Sequence, residues 1–383
     1  MWLWFGQIIL TVSLLYLIVA LVATQRFFRR PMGCEGKQPA VSVLKPMRGA
    51  NHSLKTALQS VCEQCYPEYQ IVLGVASPED EASAVANELC GEYPRQDLMV
   101  VTESSSLPAT DGTNGKVKLL CAMFPHAKHD ILVISDSDML FDPNYLKAVT
   151  TPFADPKTGL VTCLYRSIGG QGLAAALEAY CINLNFLPSV MVARCLGDIS
   201  FAFGATMAIT REALQKIGGL EGLKNYLADD YLMGNRVYHA GYRVFLSNYL
   251  IGSQNHIQSF RDYFWHQLRW ARTYRICRPW GYFFSIITHA FSLSLLFACL
   301  CHNLGLGLAW ISATLAVRLG MTVSLMLMGI HGKEYLKYLP ALPLSDLLTT
   351  VIWAAAFTGN TVVWNNTRFR VRKDGLMIPL SSS

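Results

Sequence analysis

Residues 131–140 read ILVISDSDML, and this stretch decides the fold. Four β-formers, Ile131, Leu132, Val133 and Ile134, run straight into Asp136-Ser137-Asp138. A short uninterrupted apolar run reads as a strand buried on both faces of an α/β sheet. The two carboxylates then fall just past its carboxyl end, where open α/β sheets bind ligands. Two acids so close repel each other unless positive charge lies between them. Asp and Ser are also common caps and loop residues. An isolated D-x-D therefore does not separate a ligand site from a turn, and the rest of the chain has to decide.

Upstream, strand and helix patterns alternate. Ala40–Leu44 reads as a short strand that Lys45-Pro46 breaks, and Ser53–Cys62 has helical periodicity. Gln70–Val75 is a second strand, ending in Ala76-Ser77-Pro78-Glu79-Asp80, and Glu81–Cys90 is a helix. Leu98–Thr102 is a third strand, followed by a Gly/Ser/Thr-rich loop and a helix over Lys116–Phe124. This order predicts an α/β fold with a doubly wound, mainly parallel sheet. No G-x-G-x-x-G opens the first turn, and Gly115-Lys116 lacks the glycine spacing and following hydroxyl of a P-loop, so dinucleotide and P-loop sites are excluded. Acids at strand ends remain: Asp80, Asp136 and Asp138.

Downstream, Thr206–Thr210 reads as a strand and Arg211–Ile217 as a helix ending at Gly218-Gly219. YLADDYLMGNRVYHAGYRV, residues 226–244, then sets Asp229-Asp230 at the start of an amphipathic helix, where acids also serve as plain capping residues. In FWHQLRWARTYR, residues 264–275, an apolar face holds Phe264, Leu268 and Ala271, continued from Phe260. His266, Arg269 and Trp270 share another face. An aromatic and basic helix of this kind suits a membrane surface.

Composition points to the bilayer. The 383 residues are 52% hydrophobic and only 15% charged, with mean hydropathy +0.29, where soluble domains are about a quarter charged. Residues 1–25 carry no charged side chain and are followed by Arg26, Arg29 and Arg30. Positive charge after rather than before the apolar run marks a retained anchor, with the following chain in the cytoplasm. Gly281–Ile330 contains one charge, Arg318, and fits two spans hinged near His302-Asn303; Leu347–Thr367 is uncharged. The net charge of +6 is concentrated near the membrane, with Arg261, Arg269, Arg272, Arg275 and Arg278 against Asp262, which suits anionic lipid. No nucleic-acid motif is present. Among eleven cysteines, Cys62 and Cys65 form a lone C-x-x-C without a partner pair, so free thiols are expected in a cytoplasmic domain. The sequons at Asn51 and Asn365 would go unglycosylated there.

Taken in order, Asp80, Asp136-Ser137-Asp138, Asp230 and His266-Gln267-Leu268-Arg269-Trp270 resemble the signature D, D-x-D, D, (Q/R)-x-x-R-W of membrane-bound inverting glycosyltransferases with the GT-A fold. The closer resemblance is to glycosyltransferase family 21, the ceramide glucosyltransferases and the bacterial hopanoid-biosynthesis glycosyltransferases. It rests on VSVLKPMRG, SPEDEA, NGKVKLL, DSDML, LADDYLMGNRVYHAGYRV and VVWNNTRFRVRKDG, which extend over nearly the whole chain. His266 departs from the Gln or Arg usual at its position, and a histidine's charge depends on pH.

The resemblance implies a nucleotide-diphospho-sugar transferase domain plus transmembrane helices. It implies Mg²⁺ or Mn²⁺, with Asp138 as direct ligand and Asp136 on the metal's surroundings or the ribose. Asp80 would contact uracil or ribose, and Lys116 or Lys118 uridine or phosphate. Arg269 and His266 would face the diphosphate, and Trp270 donor or acceptor. Asp230 would be the general base, with Asp229 supporting it. The implied reaction moves one N-acetylglucosamine or glucose from a UDP-sugar to a membrane-lipid hydroxyl, on a hopanoid of bacteriohopanetetrol type or on ceramide. A processive polysaccharide synthase and a non-catalytic membrane scaffold or transporter are the rival readings. The expected layout is an anchor at 1–25, a cytoplasmic domain at 31–278 with an interfacial helix at 260–278, a membrane region at 281–367 and a basic tail at 368–383, in a bacterial inner membrane. Four spans would put the tail outside, yet Arg368, Arg370, Arg372 and Lys373 favour the cytoplasm. A re-entrant or interfacial last segment, interrupted by Gly359-Asn360, would resolve this.

Overall fold

The computed structural model describes residues 2–30, 38–103, 112–364 and 367–380. The Asn365 sequon and most of the Gly/Ser/Thr-rich loop lie outside the described residues. The chain opens with helix α1 (Trp2–Phe28). Strands β1 (Val41–Met47), β2 (Tyr69–Val75), β3 (Leu98–Thr102) and β4 (Ile131–Ile134) follow, linked by α2 (Leu54–Cys62), α3 (Glu81–Glu92) and α4 (Gly115–Met123). These four strands are parallel, as the alternating pattern predicts. Successive residues face opposite sides of the sheet. Leu44, Val72 and Leu132 therefore join one apolar core with α1 and α4, and Val43, Ile71 and Val133 join a second with α2 and α3.

β1 is longer than its sequence suggests. It runs through Lys45 and Pro46 to Met47, in register with β2. It pairs with β4 only over Val41–Leu44, so beyond Leu44 one edge of the strand is open and a proline without an N–H is tolerated. Lys45 is fully buried, and its ammonium donates to the Asp136 carbonyl at 2.6 Å.

The second half of the sheet is mixed. After β5 (Met139–Leu140) and α5 (Tyr145–Thr150) come the long β6 (Thr158–Ile168), α6 (Leu173–Tyr180) and α7 (Leu187–Leu196). Then come β7 (Met207–Thr210), α8 (Arg211–Lys216), α9 (Asp229–His239) and β8 (Arg243–Gln254). The sheet order is β3-β2-β1-β4-β7-β6-β8-β5. β7 is antiparallel to both its neighbours, and β6 is parallel to β8. α6 and α7 are joined by a π-helical turn, Cys181–Phe186, so the backbone is helical from Leu173 to Leu196.

The remaining elements are α10 (Phe260–Cys277), α11 (Pro279–Phe284), α12 (Ala290–Leu300), α13 (Leu304–Leu327) and α14 (Leu342–Ala355). A small antiparallel sheet of β9 (Thr361–Trp364), β10 (Thr367–Val371) and β11 (Met377–Pro379) closes the chain. Four helical stretches among the described residues are long and apolar enough to cross a bilayer: Trp2–Phe28, Leu173–Leu196, Leu304–Leu327 and Lys333–Thr358. Leu173–Leu196 is mostly buried against the protein, as a core helix of the same composition would be. The hinge expected at His302-Asn303 is present, with Asn303 capping α13. The segment before it is not one straight span, since Pro279–Thr288 and Ala290–Leu300 meet at 64°.

Two sequence expectations change here. The apolar block 347–367 is not helical throughout: α14 ends at Ala355, and Val362, Val363 and Trp364, all β-formers, lie in β9 beyond Gly359-Asn360. On α10 the buried stripe is Tyr263, Leu268 and Ala271, while Phe260, at the helix's first turn, is exposed. Both ends of the segment from Gly329 to Thr361 are hydrogen-bonded to elements outside it. At its start Arg166 of β6 donates to the Gly329 carbonyl and Tyr335 to that of Gly169. At its end Arg275 of α10 donates to the Gly359 carbonyl at 3.0 Å. The small sheet, in turn, is bonded to the loop before α9, through Leu227 N–H to Gly375 O at 3.2 Å and Met377 N–H to Asn225 O at 2.9 Å.

Candidate active site

The parallel strands bring Asp136 and Asp138 to the sheet's carboxyl edge, and the positive charge they need is present. Lys116, in the first turn of α4, places its ammonium 2.6 Å from Asp136 Oδ1 and 3.8 Å from Asp229 Oδ2. Asn114 caps α4 by accepting from Val117 N–H at 3.1 Å. Its amide donates to Tyr226 O at 2.8 Å and to Asp229 Oδ1 at 3.3 Å. One side chain thus fixes both the helix that carries Lys116 and the loop that carries Asp229. Asp229 Oδ2 is buried without a hydrogen-bond partner among the described residues.

Asp230 is held by two backbone donors, Gly204 N–H to Oδ2 at 2.8 Å and Tyr231 N–H to Oδ1 at 2.7 Å. Gly204 is where the groups converge. A Cβ there would sit 3.0 Å from Asp136 Oδ2, 3.1 Å from Lys116 Nζ and 3.4 Å from Asp230 Oδ2. Any side chain would crowd them.

Burial shapes the protonation of these groups. It pushes the Asp138 carboxyl up to about 6, with the Asp136 charge adding to the shift and Lys45 and Lys116 opposing it. Burial and then the Asp229 charge raise Asp230 in the same direction. Lys45 is drawn down to about 8 by burial, against the pull of Asp138 and Asp136. For Lys116 burial also lowers, but the charges of Asp136, Asp229 and Asp230 outweigh it and hold the ammonium above its ordinary value. Four carboxylates thus share two ammonium groups, and the site carries an excess of negative charge. No cluster of three or more metal-ligating side chains forms among the described residues. Two carboxylates suit Mg²⁺ or Mn²⁺ nonetheless, since such ions take phosphate and water oxygens for the rest.

A cavity of about 1090 Å³ opens from these acids. His266, Arg269 and Trp270 of α10 line it. Trp270 packs at 4.6 Å from the His266 ring and 6.3 Å from that of Tyr165. The same cavity continues between apolar helices, past Leu17 of α1, Leu184, His289, Arg318 and Trp353. It is acidic around Asp136, Asp138, Asp229 and Asp230, and between the helices its mostly apolar lining also holds His289, Arg318 and Asp346.

Two sequence-selected residues lie elsewhere. Lys118 pairs with Glu103 at 2.8 Å. Asp80 caps α3, with Oδ1 accepting from Ala82 N–H at 2.9 Å and from Gly49 N–H at 2.8 Å. It secures the loop after β1 and is not among the residues lining the cavity. Sequence reasoning missed Lys45, Asn114, Gly204 and Glu178. Only Glu178 carried a signal, as the single charged residue between Leu173 and Ala193. Its carboxylate contacts Nδ1 of His266 and accepts from Nε2 of Gln267, both at 2.9 Å.

Comparison with known proteins follows the same lines. A family model described as "Glycosyl transferase family 21" matches residues 6–377. Ceramide glucosyltransferase 3 of Caenorhabditis elegans is 24% identical over 95% of this chain and 80% of its own length. The ceramide glucosyltransferase of Komagataella phaffii is 31% identical over 32% of this chain and 26% of its own. Among solved structures, the mannosyltransferase PcManGT from Pyrobaculum calidifontis, in complex with GDP-Man and Mn²⁺, superposes with a TM-score of 0.52. It is 19% identical, and the match covers 90% of this chain and 97% of that one.

Proposed function

The chain belongs to glycosyltransferase family 21, and on that premise we propose that it moves one hexose from a UDP-sugar to the hydroxyl of a membrane lipid. The observation that carries this reading is the single cavity joining four carboxylates, two after β4 and two at the start of α9, to a wall of apolar helices. A diphosphate-bearing donor fits one end and a lipid body the other. Ceramide stands first as acceptor because several relatives are ceramide glucosyltransferases by name, and a bacteriohopanetetrol-type hopanoid offers similar chemistry. Glucose and N-acetylglucosamine are the donors to compare.

Asp136 and Asp138 would hold Mg²⁺ or Mn²⁺, in keeping with the Mn²⁺ of the structural neighbour. When bound, the ion neutralises charge developing on the leaving diphosphate. Lys116 keeps the carboxylates compatible with one another. Asp230 takes the proton of the acceptor hydroxyl while that oxygen attacks the anomeric carbon and the sugar–phosphate bond breaks on the opposite side. The configuration inverts, and the proton ends on Asp230. A general base is needed because an alcohol is far too weak an acid to ionise near neutral pH. His266 and Arg269 face the diphosphate, and Asp80 acts at a distance by holding the loop after β1.

The membrane arrangement we infer has three crossings: α1, the bent α11–α12 segment and α13. The segment from Gly329 to Thr361 enters and leaves on the domain's own side, which leaves the basic tail beside the catalytic domain, in accord with the positive-inside rule. Three crossings are too few to enclose a polymer path, which separates this reading from a processive synthase. A scaffold or transporter would have no use for an unbalanced acid cluster. The test is incubation of the purified chain with radiolabelled UDP-glucose or UDP-N-acetylglucosamine, each acceptor lipid and Mn²⁺. A single-sugar glycolipid is expected. A labelled polymer, or no labelled lipid with any pair, would overturn the proposal.

A further inference from the structure

Glu178 lies in the last turn of α6 and is only 3% exposed. Burying a carboxylate among apolar side chains is costly unless it is paired. Here both oxygens are engaged by consecutive residues of α10, Oε1 with His266 Nδ1 and Oε2 with Gln267 Nε2. A carboxylate acceptor requires the proton on Nδ1, so the contact fixes one tautomer of His266. The ring is also held against Trp270. The opposite nitrogen, Nε2, has no hydrogen-bond partner among the described residues, and His266 lies in the cavity wall beside Arg269. With Nδ1 committed, Nε2 can donate only when the ring carries a second proton, and that charge needs a counter-ion. Glu178, which lines the same cavity, supplies it.

We propose that Glu178 is a positioning residue: it holds His266 as an imidazolium whose Nε2–H is presented to the leaving diphosphate. This rests on the functional reading above. The proton stays on Nε2 throughout, and the hydrogen bond strengthens as charge builds on the departing phosphate oxygen. The pair would do the work of the Gln or Arg expected at the first position of the motif. A plain staple between α6 and α10 would not need the histidine, since the Gln267 contact alone would join the helices.

The test is a double-mutant cycle on the full chain in detergent, with kcat and donor KM measured at saturating acceptor. Glu178→Gln in the wild-type background should lower kcat by about tenfold or more, the scale of a lost charge-assisted interaction, and change donor KM much less. His266→Gln removes the charge that Glu178 balances, so adding Glu178→Gln to it should cost less than about twofold. An equal cost of Glu178→Gln in both backgrounds, or an effect confined to KM, would overturn the proposal. Should Glu178→Gln not fold, Glu178→Asp, which withdraws the charge by one methylene, takes its place in the same cycle with the same outcomes. Failure of the wild-type chain to transfer from either UDP-sugar would overturn the functional reading and this inference with it. Transfer by the wild type with equal costs would overturn this inference alone.

Discussion

At one end of the cavity four carboxylates, Asp136 and Asp138 after β4 and Asp229 and Asp230 at the start of α9, face two ammonium groups, Lys45 and Lys116. Between α13 and α14 one carboxylate, Asp346, faces one guanidinium, Arg318. The second pair is bidentate, at 2.6 Å and 3.1 Å, and Arg318 also donates to Leu184 O and Asn185 Oδ1. Arg318 and Asp346 are buried, whereas of the four acids only Asp229 is buried and Asp136 is more than a third exposed; only the second set is matched one to one. A matched, fully bonded pair holds three helices together and asks for nothing further. An unmatched cluster is held in place by backbone donors and a glycine cradle, and in the proposed reading a cation and a substrate would complete it. The charge surplus, not burial, distinguishes the two.

That contrast can be broken by mutation. The largest effect is expected from Asp230→Asn, which keeps the shape and removes the proposed base. Loss of a positioned base costs about 10²- to 10⁴-fold in rate, so transfer should nearly vanish while donor binding and unfolding temperature stay near wild type. Asp346→Ala should do the reverse. Leaving Arg318 buried and uncompensated costs about 3–5 kcal/mol, to be read as a fall in thermal stability in detergent. Arg318→Met combined with Asp346→Leu should recover much of that loss. If Asp346→Ala is as stable as wild type, the pair is not structural.

Smaller effects sharpen the acid end. Burial and the Asp229 charge push the Asp230 carboxyl up to about 6. The base works deprotonated, so kcat should fall as pH drops through that region rather than near the ordinary carboxylate value. Lys116 opposes the rise. Lys116→Met should therefore move the acid limb of the kcat profile to higher pH, and an unmoved limb would show that Lys116 does not govern the base. The mildest change should be Asp229→Asn, which keeps an acceptor for Asn114 and loses only charge. If Asp229→Asn is inactive and Asp230→Asn turns over, the base is Asp229.

The parallel half of the fold was legible because β1, β2 and β4 are buried on both faces and read as short apolar runs. The long β6 and β8 were not, since polar and apolar residues mix in Thr158–Ile168 and Arg243–Gln254. The membrane helices could be counted by composition but not placed. Leu173–Leu196 is as apolar as a span yet packs inside the fold, and hydropathy does not distinguish the two. Of the site, the acids and the α10 face were legible as motifs. Gly204 and Lys45 were not, because the one acts by lacking a side chain and the other sits where a strand was expected to have ended. Asp80 was recognised as a motif residue, but its bonds were not: Oδ1 accepts from both Gly49 and Ala82.

The central claim is that the strand-end acids form a cation-dependent donor site serving a lipid acceptor. The most direct measurement is label transfer from UDP-sugar to ceramide or hopanoid by the purified chain, with Mn²⁺ and with EDTA, for wild type and Asp138→Ala. The account predicts glycolipid with Mn²⁺, none with EDTA, restoration by added Mg²⁺ or Mn²⁺, and none from the variant under any condition. Full transfer by the wild type in EDTA, or by Asp138→Ala, would contradict it.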